Sequence, residues 1–480
     1  MSRSTTSEAN KAILKRWREH PEHFARDVFG LDLWSLQREA AAAVRDHPRV
    51  AIKSGHKTGK SKFAAVTAYW FVICFPEARV IMTSASARQI KSILWREITT
   101  LYHAARFELG ATLSRSPETG VRFEDGREIV GFSTNEPERM AGISGRNVLF
   151  IADEASGIPE EIFEAIEGNR AGGARVLMLG NPTKLSGEFY AAFHTKRQFY
   201  KTITVSSAST PNVTGKGKPR PGLATAEWIA EKRLEWGEKS ALYEVRVDGN
   251  FPSQGSNAVI PLALLETALE RYREWLENPV QPPSGLDVGV DPALFGEDAS
   301  GLAMRRGWLA YPIETFKNHD GIQLANAVIA SVKQLAMTHE KVKIKVDVIG
   351  IGRSCFDQLN HSDELKKLGW EIYPVAASEK ATSENFGKLR SQLWFAVADW
   401  LKDGGMLPCD SLLEAELVAV EYGFDTQGKR EVQKKEVIKK NIGRSPDRSD
   451  ALALSILRRE QPKLTALHEL EQYSTGSRRM

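Results

Sequence analysis

The chain has 480 residues, 42% hydrophobic and 26% charged, which excludes a single small binding module and a disordered or collagen-like chain. Lys and Arg number 65 against 61 Asp and Glu, a formal charge of +4, too small at this length to attract nucleic acid in bulk. Three widely spaced cysteines, Cys74, Cys355 and Cys409, give neither a disulfide framework nor a paired-cysteine zinc site and fit a reducing cytoplasm.

Residues 1–18 are polar and charged, without the apolar core of an export signal. The uncharged apolar stretch 63–76 falls short of the roughly 18 to 20 residues that cross a bilayer. Apolar β-branched runs at 50–52, 79–82, 148–152 and 175–179 alternate with helical patterns, which predicts a parallel sheet covered on both faces. From 205 to 223 the composition turns to Ser, Thr, Pro, Gly and Lys, read as a mobile loop at the sheet edge.

A helical pattern follows at 225–247, and Pro279, Pro282 and Pro283 mark a domain boundary. Beyond it, strands are expected at 285–290, 301–305 and 308–316, the last two joined by a tight turn at Arg306-Gly307. A helix at 323–337, a strand at 344–348 and helices at 385–402, 412–421 and 446–459 complete an α/β half with a mixed sheet. The expected division is 1–255, a linker 256–283, 284–462, and a flexible tail 463–480.

Ser54-Gly55-His56-Lys57-Thr58-Gly59-Lys60-Ser61 lies between an apolar strand and a helix, the context a phosphate-binding loop requires. Backbone N–H groups at a helix N-terminus face phosphate oxygens, Lys60 neutralises the β and γ phosphates, and Ser61 ligates Mg²⁺. Ser54 stands where the standard pattern has Gly. The apolar strand 148–152 runs into Asp153 and Glu154, an acid to hold Mg²⁺ and an acid to orient and deprotonate water. Gln37 is a candidate reader of an adenine edge, and Gly180-Asn181 ends the next strand, where Asn181 can sense the γ phosphate.

In the second half, Asp287 and Asp347 lie inside apolar strands, where an unpaired carboxylate costs several kcal/mol. Ser445-Pro446-Asp447-Arg448-Ser449-Asp450 reads as a helix start that puts Asp447 and Asp450 on one face. Two strand acids and a helix acid suit two Mg²⁺ or Mn²⁺ ions about 4 Å apart, as in an RNase H-like nuclease. The spacing of Asp447 and Asp450 leaves open which of the two touches metal. Asp298 is a weaker fourth candidate, while Asp291, before Pro292, reads as a loop acid. Lys434, Lys435, Lys439, Lys440 and Arg444 belong to a basic stretch next to the helix acids, read as a surface that tracks DNA phosphates.

These motifs together resemble the large terminase subunit of tailed phages or prophages. Residues 54–61 are similar to that family's divergent phosphate loop, 142–155 to the stretch leading to its Asp-Glu pair, and 180–182 to its coupling motif. Residues 285–288, 347–352, 390–394 and 443–452 are similar to successive blocks of its nuclease half, and the family's closing Asp-Ala-Leu aligns with Asp450, which implies Asp450 rather than Asp447 as the metal ligand. The family often has Arg where His56 stands. The resemblance implies a RecA/ASCE-like P-loop ATPase domain followed by an RNase H-like nuclease domain. It further implies ATP with Mg²⁺, a two-metal endonuclease, and double-stranded DNA pumped into a procapsid and cut from concatemers. Expected partners are the portal protein, a small terminase subunit and copies of the chain in a ring, with a monomer in solution as the alternative. The expected location is the bacterial host cytoplasm, with no membrane. Arg139 is a candidate to reach a neighbour's ATP.

Two other readings share these residues. A repair or defence helicase-nuclease normally carries a second motor domain in cis, whereas the residues after Ser284 carry strand acids. An inactive prophage remnant that only binds DNA or portal would not need Lys60, Asp153, Glu154, Asp287 and Asp347 together.

Overall fold

The computed structural model describes residues 2–114, 119–133, 143, 145–170, 172–253, 257–293 and 298–457. The chain divides into two compact units. One comprises the described residues up to 279 together with 409–422 and 433–445, and the other comprises 280–408, 423–432 and the described residues from 446 onward. The expected tail and Arg139 lie outside the described residues.

The first unit is built on eight strands: β1 Arg49–Ser54, β2 Ala78–Ser84, β3 Ala111–Leu113, β4 Gly120–Phe123, β5 Glu128–Ser133, β6 Asn147–Asp153, β7 Arg175–Gly180 and β8 Lys201–Val205. Their spatial order is β3-β4-β5-β2-β6-β7-β1-β8. The pairs β3·β4 and β4·β5 are antiparallel, and the other neighbours run parallel. One strand, β7, separates the strand that feeds the phosphate loop from the strand that ends in Asp-Glu. Both strands therefore deliver their last residues to the same edge, where α/β sheets bind ligands.

The helix Lys60–Cys74 that follows β1 is apolar almost all round, with Phe63, Tyr69, Trp70 and Phe71 among its buried residues. Such a helix is stable only inside a core. It ends before Pro76, which cannot continue a helix.

Two expectations change here. The segment after β8 is not a loose loop: Ser207 and Thr210 are buried, and the Thr210 hydroxyl donates to the Ala224 carbonyl at 2.8 Å. The stretch 256–283 is largely a helix, Leu262–Glu277, with Leu262, Leu265, Ala268, Leu269 and Tyr272 buried. Its polar face reads as linker composition, but its apolar positions recur at helical spacing.

The second unit holds strands β9 Leu286–Asp291, β10 Ser300–Arg306, β11 Leu309–Ala310, β12 Glu314–Phe316, β13 Val342–Asp347 and β14 Glu371–Val375. The order is β11-β10-β9-β13-β14, with β12 also on β10. Strands β9 and β10 pair antiparallel, while β13 runs parallel to β9 and β14 parallel to β13. An antiparallel meander continued by two parallel crossover strands is the RNase H-like topology. One face of this sheet packs on helix Gly321–Leu335 through Leu324, Val328 and Val332, and the other receives helix Asp447–Ile456.

The two segments 409–422 and 433–445 fold with the first unit rather than with their sequence neighbours. They carry helices Ser411–Val418 and Lys435–Ile442. The Arg444 guanidinium donates to the carbonyls of Glu235 at 2.8 Å and Leu412 at 3.1 Å, which ties these pieces together. Among the described residues, no helix is long and apolar enough to cross a membrane.

Candidate functional site

In the first unit the loop between β1 and helix Lys60–Cys74 is fixed mainly through its backbone. Gly55 N–H donates to Val205 O at 2.9 Å and His56 N–H to Arg246 O at 2.6 Å. The Ser207 hydroxyl donates to His56 O at 2.7 Å, and Ala224 N–H to Lys57 O at 2.8 Å. A Cβ on Gly55 would come within 2.4 Å of Ser207 Oγ and 2.5 Å of Val247 O, so this position must stay glycine. Gly59, with φ +82°, turns the chain into the helix. Thr58 is buried, its hydroxyl 3.4 Å from Gly55 O.

The functional groups then meet at the strand ends. Lys60 Nζ lies 2.8 Å from Asn181 Oδ1 and 3.0 Å from Glu154 Oε1, and Ser61 Oγ donates to Asp153 Oδ2 at 3.2 Å. Asn181 Nδ2 donates to Ser54 O at 2.6 Å. Gly180 packs directly on the Glu154–Ala155 backbone, 2.9 Å from Ala155 N to an added Cβ. Glu154 holds φ +49°, a conformation costly for a residue with a side chain. Gln37 spans from Trp34 N–H to Gly59 O, both at 3.4 Å. It lines a cleft with Trp34, Phe63, Leu179 and Val205 beside the loop.

Burial pushes the Asp153 carboxyl up to about 6, and the charge on Glu154 adds to that push. Burial works against the Lys60 ammonium, but Glu154 and Asp153 outweigh it and hold its proton more firmly than usual. Burial keeps the His56 imidazole neutral, helped by the nearby Arg246 and Lys60 charges. A buried acid and a half-buried one around one lysine and one hydroxyl fit a magnesium-bound polyphosphate, which supplies the cation the second acid lacks. The raised Asp153 value has a sign that can be checked. Its protonated form is retained in the folded chain to about pH 6 but lost near pH 4 when unfolded. It therefore stabilises below that window and ceases to do so as pH rises through it. Without metal or nucleotide, the melting temperature of the wild type is expected to fall relative to that of Asp153→Asn between about pH 4 and 6.

The second unit changes the membership of the acid set. Asp287 faces Lys343 in the β9·β13 register, four residues before the strand end that carries Asp347, a separation of about 13 Å at the usual rise per residue. Its carboxylate is held by Lys345 and by Arg305 Nη2, the latter at 3.0 Å. Lys345 is fully buried, and burial depresses its ammonium to about 8 despite Asp287. Both cations also bond the Ser455 carbonyl, at 3.2 and 3.3 Å. Asp287 is thus the centre of a clamp on the C-terminal end of helix Asp447–Ile456, contrary to its expected place beside Asp347.

Asp291 stands at the other end. It closes β9, as Asp347 closes β13, and the preceding pair Val290–Val346 is in register. Opposite Asp291 on β10 is Gly301, where an added Cβ would lie 2.3 Å from Asp447 O. Asp447 Oδ2 accepts Ala299 N–H at 3.0 Å, and Asp347 Oδ1 accepts Ile349 N–H at 3.1 Å. Asp291, Asp347 and Asp447 are buried to 6–8% exposure on one edge of the unit. Asp298 lies in the connection to β10, beside the Ala299 that binds Asp447. Asp450 accepts Trp394 Nε1–H at 2.9 Å and lies 3.5 Å from Arg390 Nε, so its Oδ1 faces the helix Leu389–Lys402.

Three buried carboxylates at one strand-end edge fit divalent cations. Among the described residues, the three metal-capable side chains whose ligand atoms all lie within 4.8 Å of one another are His20, Glu22 and His23. The aspartates are spaced more widely, as ligands shared by two ions about 4 Å apart need to be. The residues missed in the sequence are Asp291, placed beyond the strand because β9 was ended one residue early, and the loop supports Ser207 and Arg246. The basic stretch divides: Lys434, Lys435, Lys439 and Lys440 lie on or next to a helix of the first unit, and Arg444 is an anchor between that unit's segments.

Lys60 against an Asp-Glu strand end two strands away defines a P-loop NTPase unit, and the acid-edged mixed sheet defines an RNase H-like unit. The chain is 24% identical over 483 residues to the probable terminase large subunit of Enterobacteria phage P7, covering 93% of this chain and 94% of that one. It resembles a phage large terminase along nearly its whole length. Similar solved structures include the HK97 bacteriophage large terminase, with TM-score 0.40, 13% identity, 92% of this chain and 99% of that one. Another is the nuclease domain of the large terminase subunit of bacterial virus Sf6, with TM-score 0.34, 21% identity, 42% of this chain and 100% of that one. No protein-family model matches the chain.

Proposed function

We propose that this chain is a terminase large subunit: an ATP-driven motor for double-stranded DNA joined to a metal-dependent endonuclease that cuts concatemers. The observation that carries the reading is the pairing, in one chain, of a lysine-acid site at the edge of a parallel ATPase sheet with a separate acid edge on an RNase H-like sheet.

In the motor, Ser61 and Asp153 hold the cation that ATP brings, which neutralises charge on the phosphates. Lys60 leaves its contact with Glu154 for the β and γ phosphates, which frees Glu154 to orient the attacking water and take its proton. Asn181, bonded to both Lys60 and the Ser54 carbonyl, registers the loss of the γ phosphate and passes it to β7. Gln37 reads the adenine edge.

In the nuclease, Asp291, Asp347 and Asp447 would hold Mg²⁺ or Mn²⁺, which would supply Lewis-acid activation for phosphodiester hydrolysis. Asp450 and the Asp287 clamp set the seat of the helix that presents Asp447. Lys434, Lys435, Lys439 and Lys440 contact the DNA backbone. The portal protein, a small terminase subunit and a ring of copies are the proposed partners, in the host cytoplasm.

The testing experiment measures DNA-stimulated phosphate release and Mn²⁺-dependent plasmid cleavage by the full chain; absence of both in folded protein rejects the reading. A sharper comparison separates the two acids of β9. Asp291→Asn is expected to abolish cleavage with little change in melting temperature. Asp287→Ala leaves Lys345 and Arg305 without their carboxylate, and is expected to cost about 3 kcal/mol of stability while cleavage persists below its lowered melting point. The opposite pattern would restore Asp287 to the metal set.

A further inference from the structure

The phosphate loop leans on one residue outside it. The carbonyl of Arg246 accepts His56 N–H at 2.6 Å and lies 3.3 Å from Ser207 Oγ, which itself donates to His56 O. The loop's second residue therefore has both backbone groups fixed. Arg246 belongs to the short π-helical turn Glu244–Asp248, a geometry uncommon outside functional sites. The turn is pressed against the loop: an added Cβ on Gly249 would meet Gly55 N at 2.7 Å.

What holds that turn is a buried ion triad. The Arg246 guanidinium, 6% exposed, pairs with Glu414 and, at 2.7 and 3.1 Å, with Glu266. Glu266 comes from helix Leu262–Glu277 and Glu414 from helix Ser411–Val418, both packed within the first unit. Burial raises the Glu414 carboxyl, while Arg246 opposes that rise. A guanidinium gripped by two carboxylates from two helices has little rotational freedom, so its carbonyl is fixed where the loop needs it.

We propose that Glu414, acting through Arg246, is a positioning residue for the nucleotide: the ion triad shapes the phosphate loop, so a side chain encoded far into the second half of the sequence sets how tightly the first unit binds ATP. This rests on the ATPase reading of the loop. Small misplacement of a binding group weakens function by up to about 10²-fold. Loss of the Glu414 charge is accordingly expected to raise the KM for ATP on the order of tenfold, with kcat within about twofold because Lys60, Asp153 and Glu154 are untouched.

The test uses the full chain carrying Glu414→Gln, Glu414→Asp, Glu416→Gln or Lys60→Ala. ATPase KM and kcat, affinity for a fluorescent ATP analogue, and melting temperature are measured for each. Glu416 is the matched control: it is on the same helix, 1% exposed, and near Arg444 rather than Arg246. The expected result is a raised KM and weakened analogue binding in Glu414→Gln, a smaller change in Glu414→Asp, and none in Glu416→Gln. Equal changes in the Glu414 and Glu416 variants, or unchanged KM in folded Glu414→Gln, would overturn the proposal. If Glu414→Gln does not fold, Glu414→Asp against Glu416→Gln decides by the same criterion. If wild type and Lys60→Ala bind and turn over ATP alike, the ATPase reading itself has failed, an outcome separate from the others.

Discussion

Alanine in place of Lys60 is expected to lower ATP turnover by about 10³-fold or more and to leave Mn²⁺-dependent DNA cleavage at the wild-type rate. Lys60 contacts both Glu154 and Asn181, and its removal leaves buried Asp153 and half-buried Glu154 as adjacent acids with no lysine between them and the phosphates. The γ phosphate would lose the charge that stabilises its transfer. Phosphate release and plasmid cleavage, followed on the same preparation, check the result. Loss of both activities with an unchanged melting temperature would mean that the two chemistries are not separable.

The converse is expected of Asp347→Asn. Asp347 closes β13 beside Asp291, with Asp447 packed over the neighbouring strand. An amide keeps the shape and the Ile349 N–H contact but removes the charge a divalent cation requires. Cleavage should fall below detection, about 10³-fold or more, while ATP turnover keeps its rate. Calorimetric titration with Mn²⁺ should show the accompanying loss of binding. Cleavage that survives would remove Asp347 from the metal set.

The motor site was legible because its chemistry is contiguous. A loop of eight residues and a strand ending in two acids carry their own flanks, and the predicted strands 50–52, 79–82, 148–152 and 175–179 lie within β1, β2, β6 and β7. Strands β3, β4 and β5 escaped notice. The first is only three residues long, Arg122 interrupts the second, and β5 carries Gly131 in the middle of its short apolar run Ile129–Phe132, a residue that weakens a strand pattern.

The acid edge was half legible. Asp347 stood out, while Asp447 was the less favoured of its pair with Asp450, and on β9 both Asp287 and Asp291 share a face, with Gly289 between them. Only the register against β13 separates a residue at the strand end from one about 13 Å back along it. What sequence could not supply was Lys345 and Arg305, distant in the chain, as partners that account for Asp287. Nor could it show that helices Ser411–Val418 and Lys435–Ile442 leave their neighbours to pack elsewhere. Helix Lys435–Ile442 has an apolar stripe and Ser411–Val418 is buried on nearly all sides, and neither pattern says against what the helix packs.

That last arrangement has a consequence for biogenesis. Helix Ser411–Val418 brings Leu413, Leu417 and the Arg246 counter-charge to a body whose other parts were translated long before. On a ribosome adding about 5–20 residues per second, Arg246 waits roughly 8 to 34 seconds for its Glu414 carboxylate to be synthesised. A polypeptide released before residue 409 would lack Leu413, Leu417 and the Glu414 carboxylate that the first unit buries.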